Sequence, residues 1–237
     1  RLEALGLLLL LLSTHPRATQ GHVSTLLPTV LRLVGDRYYK ITADALRVTA
    51  ELVKALRPDG GGGTLAIGAA DVANLVRAVR ARLEAQDQDQ EVKECAIECA
   101  ALVVRLLGDH FADEVPYILG TLLDRMRNEF TRVTAVNAFA LLAAPGGAVP
   151  LTCLLITKNV LLDVLVPELA GFLRKSSKPL RQATLAALNA IFEAHADALK
   201  PAAVEEVLVE MAPLVAEADL HLAHHALLLA TTVARGA

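Results

Sequence analysis

The sequence predicts an all-helical protein built from repeated helix pairs. Three observations support this prediction: the composition, helical stretches that come in pairs, and one pattern that recurs in every second helix. Hydrophobic residues make up 54% of the 237 residues, aromatic residues only 3%, and Trp is absent. Most of the hydrophobic excess is Leu and Ala, which are strong helix formers, whereas strands are typically rich in Val, Ile, Tyr and Phe. The composition therefore favours helices over sheets.

Short polar or Gly/Pro-containing segments divide the chain into predicted helices. The first helix, over residues 2–13, has no predicted partner and forms a half repeat. Five helix pairs follow, over residues 22–34 with 38–56, 69–84 with 90–107, 114–127 with 131–143, 160–175 with 179–194, and 202–216 with 220–234.

The second helix of every pair begins with the same pattern, an apolar or β-branched opener followed four positions later by a small residue. The openers are Ile41, Val92, Thr131, Leu180 and Leu222, and the small residues are Ala45, Ala96, Ala135, Thr184 and Ala226. Residues four apart share one helix face, and small side chains on that face let helices pack closely. The openers are 51, 39, 49 and 42 residues apart, close to the period of about 40–47 residues in HEAT and armadillo repeats.

Both long intervals contain a predicted insertion. One lies near residues 58–68 and includes the four consecutive glycines 60–63, and the other lies near residues 145–159, with an irregular stretch from 149 to 159. Gly-rich segments of this kind form flexible loops. With the insertions discounted, the period is regular. The sequence thus predicts one HEAT- or armadillo-type α-α superhelix segment over residues 1–237, with five helix pairs and a leading half repeat.

Polar residues in the turns predict how the second helices begin. Asp36, Asp89, Asn128, Ser177 and Asp219 precede these helices, where a side-chain oxygen can accept hydrogen bonds from free backbone N–H groups. A basic residue also follows the opener in three consecutive pairs, at Lys93, Arg132 and Arg181. We expect these three residues to form a ladder of charge-assisted hydrogen bonds to the preceding turns. A partner-binding stripe is the alternative interpretation.

No group of residues predicts a catalytic, cofactor or metal site. His221, His224 and His225 have a spacing that can bind zinc, but no third ligand is near in sequence, which favours exposed histidines. Cys95 and Cys99 fall among the small positions of the repeat, where Cys behaves as a buried apolar residue. A further cysteine, at position 153, has no nearby His to activate it.

Other features exclude further classes of function. Glycines 60–63 lack the Gly-Lys-Ser/Thr ending of a phosphate loop, and residues 86–91 lack the central Gly of a calcium loop. A net charge of −3 and few aromatic residues argue against nucleic acid. The six leucines at residues 7–12 are too few to span a membrane. Three cysteines do not form a disulfide framework, so we expect a reducing compartment, the cytoplasm or nucleus.

Several segments of the chain are distinctive, namely residues 35–46, 87–97, 124–129, 131–132, 170–175, 180–185 and 218–221. They resemble the cullin-associated exchange factors, the CAND family, in the family's order along nearly the whole chain, and they correspond to a middle part of its longer members. The Gln-Asp-Gln-Asp-Gln run at residues 86–90 is closer to plant or green-algal members. One departure is Phe130, where the family has a smaller aliphatic residue, and we expect the core to repack around it.

The resemblance implies a binding protein for cullin–RING ubiquitin ligases. Such a protein binds a cullin with its RING subunit when the cullin lacks its ubiquitin-like Nedd modifier, and it promotes exchange of substrate receptors. It needs no cofactor and no small-molecule substrate, and it acts in cytoplasm and nucleus. The contact residues stay unknown, because family contacts are dispersed. Alternatives are another HEAT scaffold, such as a transport receptor or phosphatase subunit, and, more remotely, a helical enzyme with titratable residues clustered in a pocket.

We expect the isolated chain to be helical and to self-associate. The six leucines at residues 7–12 lie on a helix without a predicted partner, and the end repeats of a solenoid normally need polar caps. Light scattering at increasing protein concentration measures the association. A monodisperse monomer at high concentration would contradict this expectation.

Overall fold

The computed structural model is helical along most of its length. It describes residues 1–57, 65–86, 89–149, 151, 155–156 and 159–236. Short 3-10 helices lie at Gln20–His22, Gly108–His110 and Ala196–Ala198. The α-helices are α1 (Leu2–Thr14), α2 (Pro16–Thr19), α3 (Val23–Val34), α4 (Tyr39–Leu56), α5 (Ala69–Glu84), α6 (Gln90–Leu107), α7 (Val115–Arg127), α8 (Arg132–Ala143), α9 (Leu161–Leu173), α10 (Lys178–His195), α11 (Pro201–Val215) and α12 (Leu220–Gly236).

The five predicted helix pairs are all present, from α3 with α4 to α11 with α12, and their ends differ from the predicted ones by a residue or two. The all-α fold class is confirmed. The short helix α2 was not predicted. Where an irregular stretch was expected, the strands β1 (Leu155–Ile156) and β2 (Asn159–Val160) form a small antiparallel ladder. Most of the predicted insertion at 58–68 lies outside the described residues. Among the helices that are described, none is long and apolar enough to cross a membrane.

The helices belong to two compact units. Unit 1 comprises Arg1–Leu122 with Gly146–Val149, and unit 2 comprises Leu123–Pro145 with Pro150–Ala237. In unit 1, α4 packs between α1 and α6 and also contacts α3, which packs on α5. In unit 2, α10 packs between α8 and α12 and also contacts α9, which packs on α11. Second helices therefore stack on second helices, and first helices on first helices. The prediction of a single segment over residues 1–237 stays a prediction.

The small positions of the repeat lie at the centre of this packing. Every opener is buried, and the residue four positions later has no exposed surface in any of the five pairs. A small side chain at that point allows the close approach that dense helix packing requires. The pattern found in the sequence thus marks the contact face of each second helix.

The first helix is not without a partner, contrary to the expectation from the sequence. Helix α1 packs against α4, in the row of second helices. Leu5 and Leu12 are buried there, because residues seven apart lie two turns along the same helix face. The other leucines are only partly covered, and Leu7, Leu10 and Leu11 are exposed.

All five predicted turn residues accept backbone hydrogen bonds. The accepting oxygen receives the N–H of a residue two or three positions later, which satisfies a donor at the entry to the second helix. The bonds are Tyr38 N to Asp36 Oδ1 at 2.9 Å, Glu91 N to Asp89 Oδ1 at 2.9 Å, Phe130 N to Asn128 Oδ1 at 3.0 Å, Leu180 N to Ser177 Oγ at 3.4 Å and His221 N to Asp219 Oδ1 at 3.0 Å.

The predicted basic ladder is present at two of its three positions. Arg132 donates from Nε to Met126 O at 3.2 Å and from Nη2 to Arg127 O at 2.9 Å. Arg181 donates from Nη2 to Ser176 O at 3.4 Å and pairs through Nη1 with Glu217 at 3.1 Å. These arginines therefore bind carbonyl groups near the end of the preceding helix, where the helix dipole favours positive charge. Within the described part of the chain, the ammonium group of Lys93 makes no such bond.

Phe130 does not enter the core, so the expected repacking around it is wrong. Its side chain is 80% exposed in the turn between α7 and α8. The adjacent opener, Thr131, is buried instead, and its hydroxyl donates to Arg125 O at 2.7 Å. The position before the opener therefore points to solvent, and an aromatic residue there needs no space inside the repeat.

Replacing the buried Ala135 by Leu is expected to destabilise the chain by about 1–3 kcal/mol or more, because a well-packed helix contact cannot accept the added carbons. The matched control is Ala186→Leu in the same unit, at an exposed helical position, where we expect a change within about 0.5 kcal/mol. Urea unfolding followed by circular dichroism measures both. Equal effects of the two substitutions would contradict the packing argument.

Candidate protein-binding surface

A stripe of charged side chains is the most distinctive exposed feature of unit 1. Helix α4 is enclosed by its neighbours, so most of its residues are buried, but one face is exposed or half-buried. We call this face together with its continuation on α6 the charged row. Its α4 members follow helical spacing and are Lys40, Asp44, Arg47, Glu51 and Lys54.

Helix α6 continues the charged row with an acidic segment. Its members are Glu91, Glu94 and Glu98, with Arg105 two turns further along. Partial loss of hydration raises the pKa of the Glu98 carboxyl, and the positive charge of Arg47 opposes this shift. The α6 part of the row therefore groups three carboxyl side chains at the surface, of which Glu98 is exposed.

Arg47 connects the two helices of the charged row. Its guanidinium group donates to Asp44 Oδ1 at 2.9 Å within α4 and to Glu91 Oε1 at 2.6 Å on α6. Burial works to lower the pKa of Arg47, but the hydrogen bonds to Glu91 and Asp44 outweigh it and raise the pKa. The guanidinium group is thus held in place between two carboxylates, which fixes the spacing of charges across the surface.

The second helices of unit 2 expose neutral residues at the corresponding positions. Arg47 and Glu98 lie six residues after their openers. The same position holds Asn137 in α8, Ala186 in α10 and Leu228 in α12, and all three are exposed. At this position of the repeat the two units therefore differ, with charged side chains in unit 1 and neutral side chains in unit 2.

Two clefts in the described part of unit 1 are lined without His or Cys. A cleft of about 380 Å³ lies between α3 and α5, lined by Leu27, Pro28 and Asp71 among others, and no His or Cys lines it. A second cleft of about 530 Å³ lies beside α1, α4 and α6, lined by leucines with Glu51, Lys54 and Arg57. No group of three His, Cys, Asp or Glu residues in the described ranges could hold a metal ion.

The histidines of α12 are spread over its surface. His221 and His224 are exposed, as predicted, and His225 is half-buried. The rings of His224 and His225 meet edge to face with centroids 5.8 Å apart, the geometry of an aromatic contact between neighbours on a helix.

Two of the three cysteines are buried on the packed face of a second helix, as predicted. Cys95 and Cys99 are both buried in α6 and neither forms a disulfide. Burial raises the pKa of the Cys95 thiol to about 11, an effect that the charge of Arg47 reduces. Burial likewise raises the pKa of Cys99. A thiol needs a lowered pKa to act as a nucleophile at neutral pH, so the raised pKa values make both thiols poor nucleophiles. The cysteine at 153 lies outside the described residues.

A buried arginine joins two repeats in a way that the sequence did not reveal. The side chain of Arg57, at the end of α4, is only 5% exposed. Its Nη2 donates to Asp109 Oδ2 at 2.8 Å and lies 3.0 Å from His110 Nε2. The partners are 52 and 53 residues away, and no spacing rule within one helix links residues so far apart. The contact fixes the turn after α6 against the end of α4.

The fold is that of armadillo and HEAT repeat proteins. A designed armadillo repeat protein solved in complex with a (KR)4 peptide superposes with a TM-score of 0.60 at 14% identity, covering 95% of this chain and 91% of that one. A chain in the structure of Kap95p with RanGDP gives a TM-score of 0.61 at 13% identity, covering 99% of this chain and 28% of the other. At such identities the similarity concerns the fold alone.

Sequence comparison identifies one family of helical repeat proteins that this chain resembles along its length. A family model described as CAND1-like, TPR repeats matches residues 1–100. Cullin-associated NEDD8-dissociated protein 1 of Arabidopsis thaliana is 43% identical over the whole chain, and protein 2 of Mus musculus is 42% identical over 98% of it. The Drosophila melanogaster protein 1 is 34% identical. The chain belongs to the CAND family.

The chain spans about a fifth of the length of these relatives, 19% of the Arabidopsis protein and 18% of the mouse protein. The resemblance noted in the sequence is confirmed at the level of the family. Identities of 43% and 42% do not separate plant from animal members, so the plant-like character stays a prediction, as does the middle position.

Cys95 and Cys99 are expected to resist alkylation in the folded chain at neutral pH, because burial blocks access and keeps the thiols protonated. Iodoacetamide treatment of native and urea-unfolded protein, followed by peptide mass spectrometry, measures both sites. Both cysteines should react only after unfolding, and the native Cys95 reaction should accelerate as the pH approaches about 11. Rapid native alkylation of either residue at neutral pH would contradict the assigned environment.

Proposed function

We propose that this chain is part of a protein-binding scaffold that holds a cullin with its RING subunit and promotes exchange of substrate receptors. The observation that carries the proposal is the similarity of the entire chain to proteins named cullin-associated and NEDD8-dissociated, at up to 43% identity. The helix-pair architecture supports it, because stacked repeats offer long surfaces suited to large partners.

The charged row of unit 1 is the surface that we assign to this binding. Glu94 and Glu98 present carboxylates on α6, beside the fixed guanidinium group of Arg47. An array of charges held by intramolecular bonds is preorganised, so little ordering is required when a partner arrives. Complementary basic side chains on the partner would be attracted over distance and aligned on contact. We therefore expect this part of the interface to set association rate and orientation.

Exchange follows from binding alone in this proposal. A scaffold that favours one state of its partner shifts the equilibrium toward that state by its difference in affinity. If the scaffold and a substrate receptor bind the same cullin with unfavourable coupling, each weakens the other reciprocally. The resident receptor is then bound more weakly while the scaffold is present, and its exchange requires no covalent step.

A non-catalytic role in cytoplasm and nucleus fits the same proposal. The two described cysteines are free, as in a reducing compartment. The raised pKa values of both thiols argue against a cysteine nucleophile, which supports a scaffold over a helical enzyme. Other HEAT scaffolds share the fold, but the sequence similarity supports the cullin-associated role.

The chain is expected to bind an unmodified cullin–RING complex and to bind the Nedd-modified complex more weakly. Isothermal titration calorimetry with both purified forms measures the difference, with circular dichroism to verify that the chain is helical. Absence of binding to either form by a folded chain would contradict the proposal for this part of the protein.

Reversing the charge of Glu98 is expected to weaken binding to the unmodified complex, on the order of fivefold, mainly through slower association. The control is Glu205→Lys, which makes the same charge change at an exposed position of α11 in unit 2. Surface plasmon resonance separates the association and dissociation rates. Equal effects of the two substitutions would indicate net charge rather than the charged row.

A further inference from the structure

Unit 2 contains an open cleft whose lining suits an acidic segment of another protein. The cleft has a volume of about 350 Å³ and lies between the end of α7, the start of α8 and one face of α9. Its size is at the lower end of the range for binding pockets. It is large enough for a side chain or two of an extended peptide.

Positive charge surrounds this cleft. Arg127, Arg132 and Lys175 line it with a single carboxylate, that of Glu168. Glu168 is engaged by Arg127, whose Nε lies 3.1 Å from Oε1, and this bond raises the pKa of the arginine. The pair leaves Arg132 and Lys175 as the charges available to a partner.

Neither available cation is paired with a carboxylate of the described residues, and Arg132 is also held in place. Arg132 uses Nε and Nη2 for the carbonyl groups of Met126 and Arg127, and its Nη1 makes no bond to a described residue. Its guanidinium carbon lies 5.3 Å from the ring centroid of Phe172, a cation–π distance. Lys175 is exposed, and its ammonium group bonds no carboxylate in the described part of the chain. An acceptor placed in the cleft would therefore meet a fixed guanidinium group and an unpaired ammonium group.

The floor of the cleft is apolar, and another chain can approach the backbone of α9 there. Phe172 and Pro167 supply apolar surface beside the two cations. Gly171 lies in the last turn of α9, next to Phe172, and a Cβ atom added there would meet nothing within 4 Å. Internal packing therefore does not require glycine at this position. What it provides is room for another chain to approach the helix backbone.

We propose that this cleft docks an acidic, extended segment of a partner protein. A carboxylate of the segment pairs with Lys175 and Arg132, a neighbouring apolar side chain packs on Phe172, and the backbone crosses α9 at Gly171. The apolar floor beside the available positive charge favours a peptide segment over free phosphate, because phosphate has no apolar group to pack on Phe172. The inference concerns unit 2 and does not depend on the identity of the partner.

The first test uses peptide probes on the isotope-labelled chain. Nuclear magnetic resonance follows the Gly171 amide and the Arg132 side chain while acetyl-Glu-Asp-Leu-Asp-Glu-amide is added. We expect saturable shifts at both groups that weaken as NaCl is raised. The neutral peptide acetyl-Gln-Asn-Leu-Asn-Gln-amide should bind roughly tenfold more weakly. Equal shifts with both peptides, or stronger shifts with inorganic phosphate, would overturn the proposal.

The second test alters the cleft itself. Gly171→Leu fills it without an internal clash and Lys175→Glu reverses its available charge, so each should weaken binding of the acidic peptide roughly tenfold. Matched controls are Gly6→Leu, another helical glycine whose added Cβ meets nothing within 4 Å, and Arg77→Glu, an exposed cation of α5. Both controls should bind as the unaltered chain does.

Circular dichroism and thermal unfolding of every variant verify that the fold is retained. Unchanged affinity in both cleft variants would overturn the proposal. It would also fail if the peptide did not bind and the cleft variants instead abolished self-association of the chain, because the cleft would then be a contact between two copies.

Discussion

Close packing at one small position of each second helix is the constraint on which the rest of the structure depends. Ala45, Ala96, Ala135, Thr184 and Ala226 are completely buried at equivalent points. Because each is small, neighbouring helices approach closely enough for the flanking leucines and valines to interdigitate. That approach also brings polar groups of successive repeats within reach, as between Arg47 and Glu91 or Arg181 and Glu217. Their sequence separations of 44 and 36 residues are close to one repeat, so the ionic contacts follow from the apolar ones.

The same packing decides which residues can contact a partner. Helix α4 is enclosed by α1, α3 and α6, so only one stripe of its surface is available, and in unit 1 that stripe is charged. Burying ionised groups without partners would cost much of the stability of a domain. The charges within α4 therefore lie on the one face where water or another protein can solvate them, whereas the buried Arg57 at its end is paired with Asp109. The charged row is thus both a consequence of repeat stacking and the surface best suited to specific recognition.

The sequence predicted the parts of the structure that depend on local periodicity, and it failed where contacts span repeats. Helix bounds, small positions and turn acceptors such as Asp89 follow from rules that act within a few residues. The partner of α1, the bonds of Arg57 and the cleft beside Phe172 depend on neighbours about one repeat or more away, which periodicity does not place. Phe130 shows this limit of sequence-based prediction most clearly. Similarity to a family identified the residue as unusual but did not reveal that its side chain points to solvent. The candidate binding surfaces could therefore be found only once the stacking was known.

The last helix pair shows that the burial of a side chain in such a fold depends on which helices pack beside it. Leu46 in α4 and Leu185 in α10 follow the small position directly and are completely buried, and each of these helices packs between two helices of its own row, α1 and α6 for α4, and α8 and α12 for α10. Leu227 occupies the same position in α12, which packs on α10 alone among the described second helices, and it is 52% exposed. The residue type and its place in the repeat are the same, so the difference in burial comes from the missing contact. In a stack of this kind the stability is approximately the sum of the intrinsic stabilities of the repeats and the interface free energies between neighbours. An apolar helix face stabilises the fold when another helix of the chain covers it. When the same face is exposed, it can bind another protein instead.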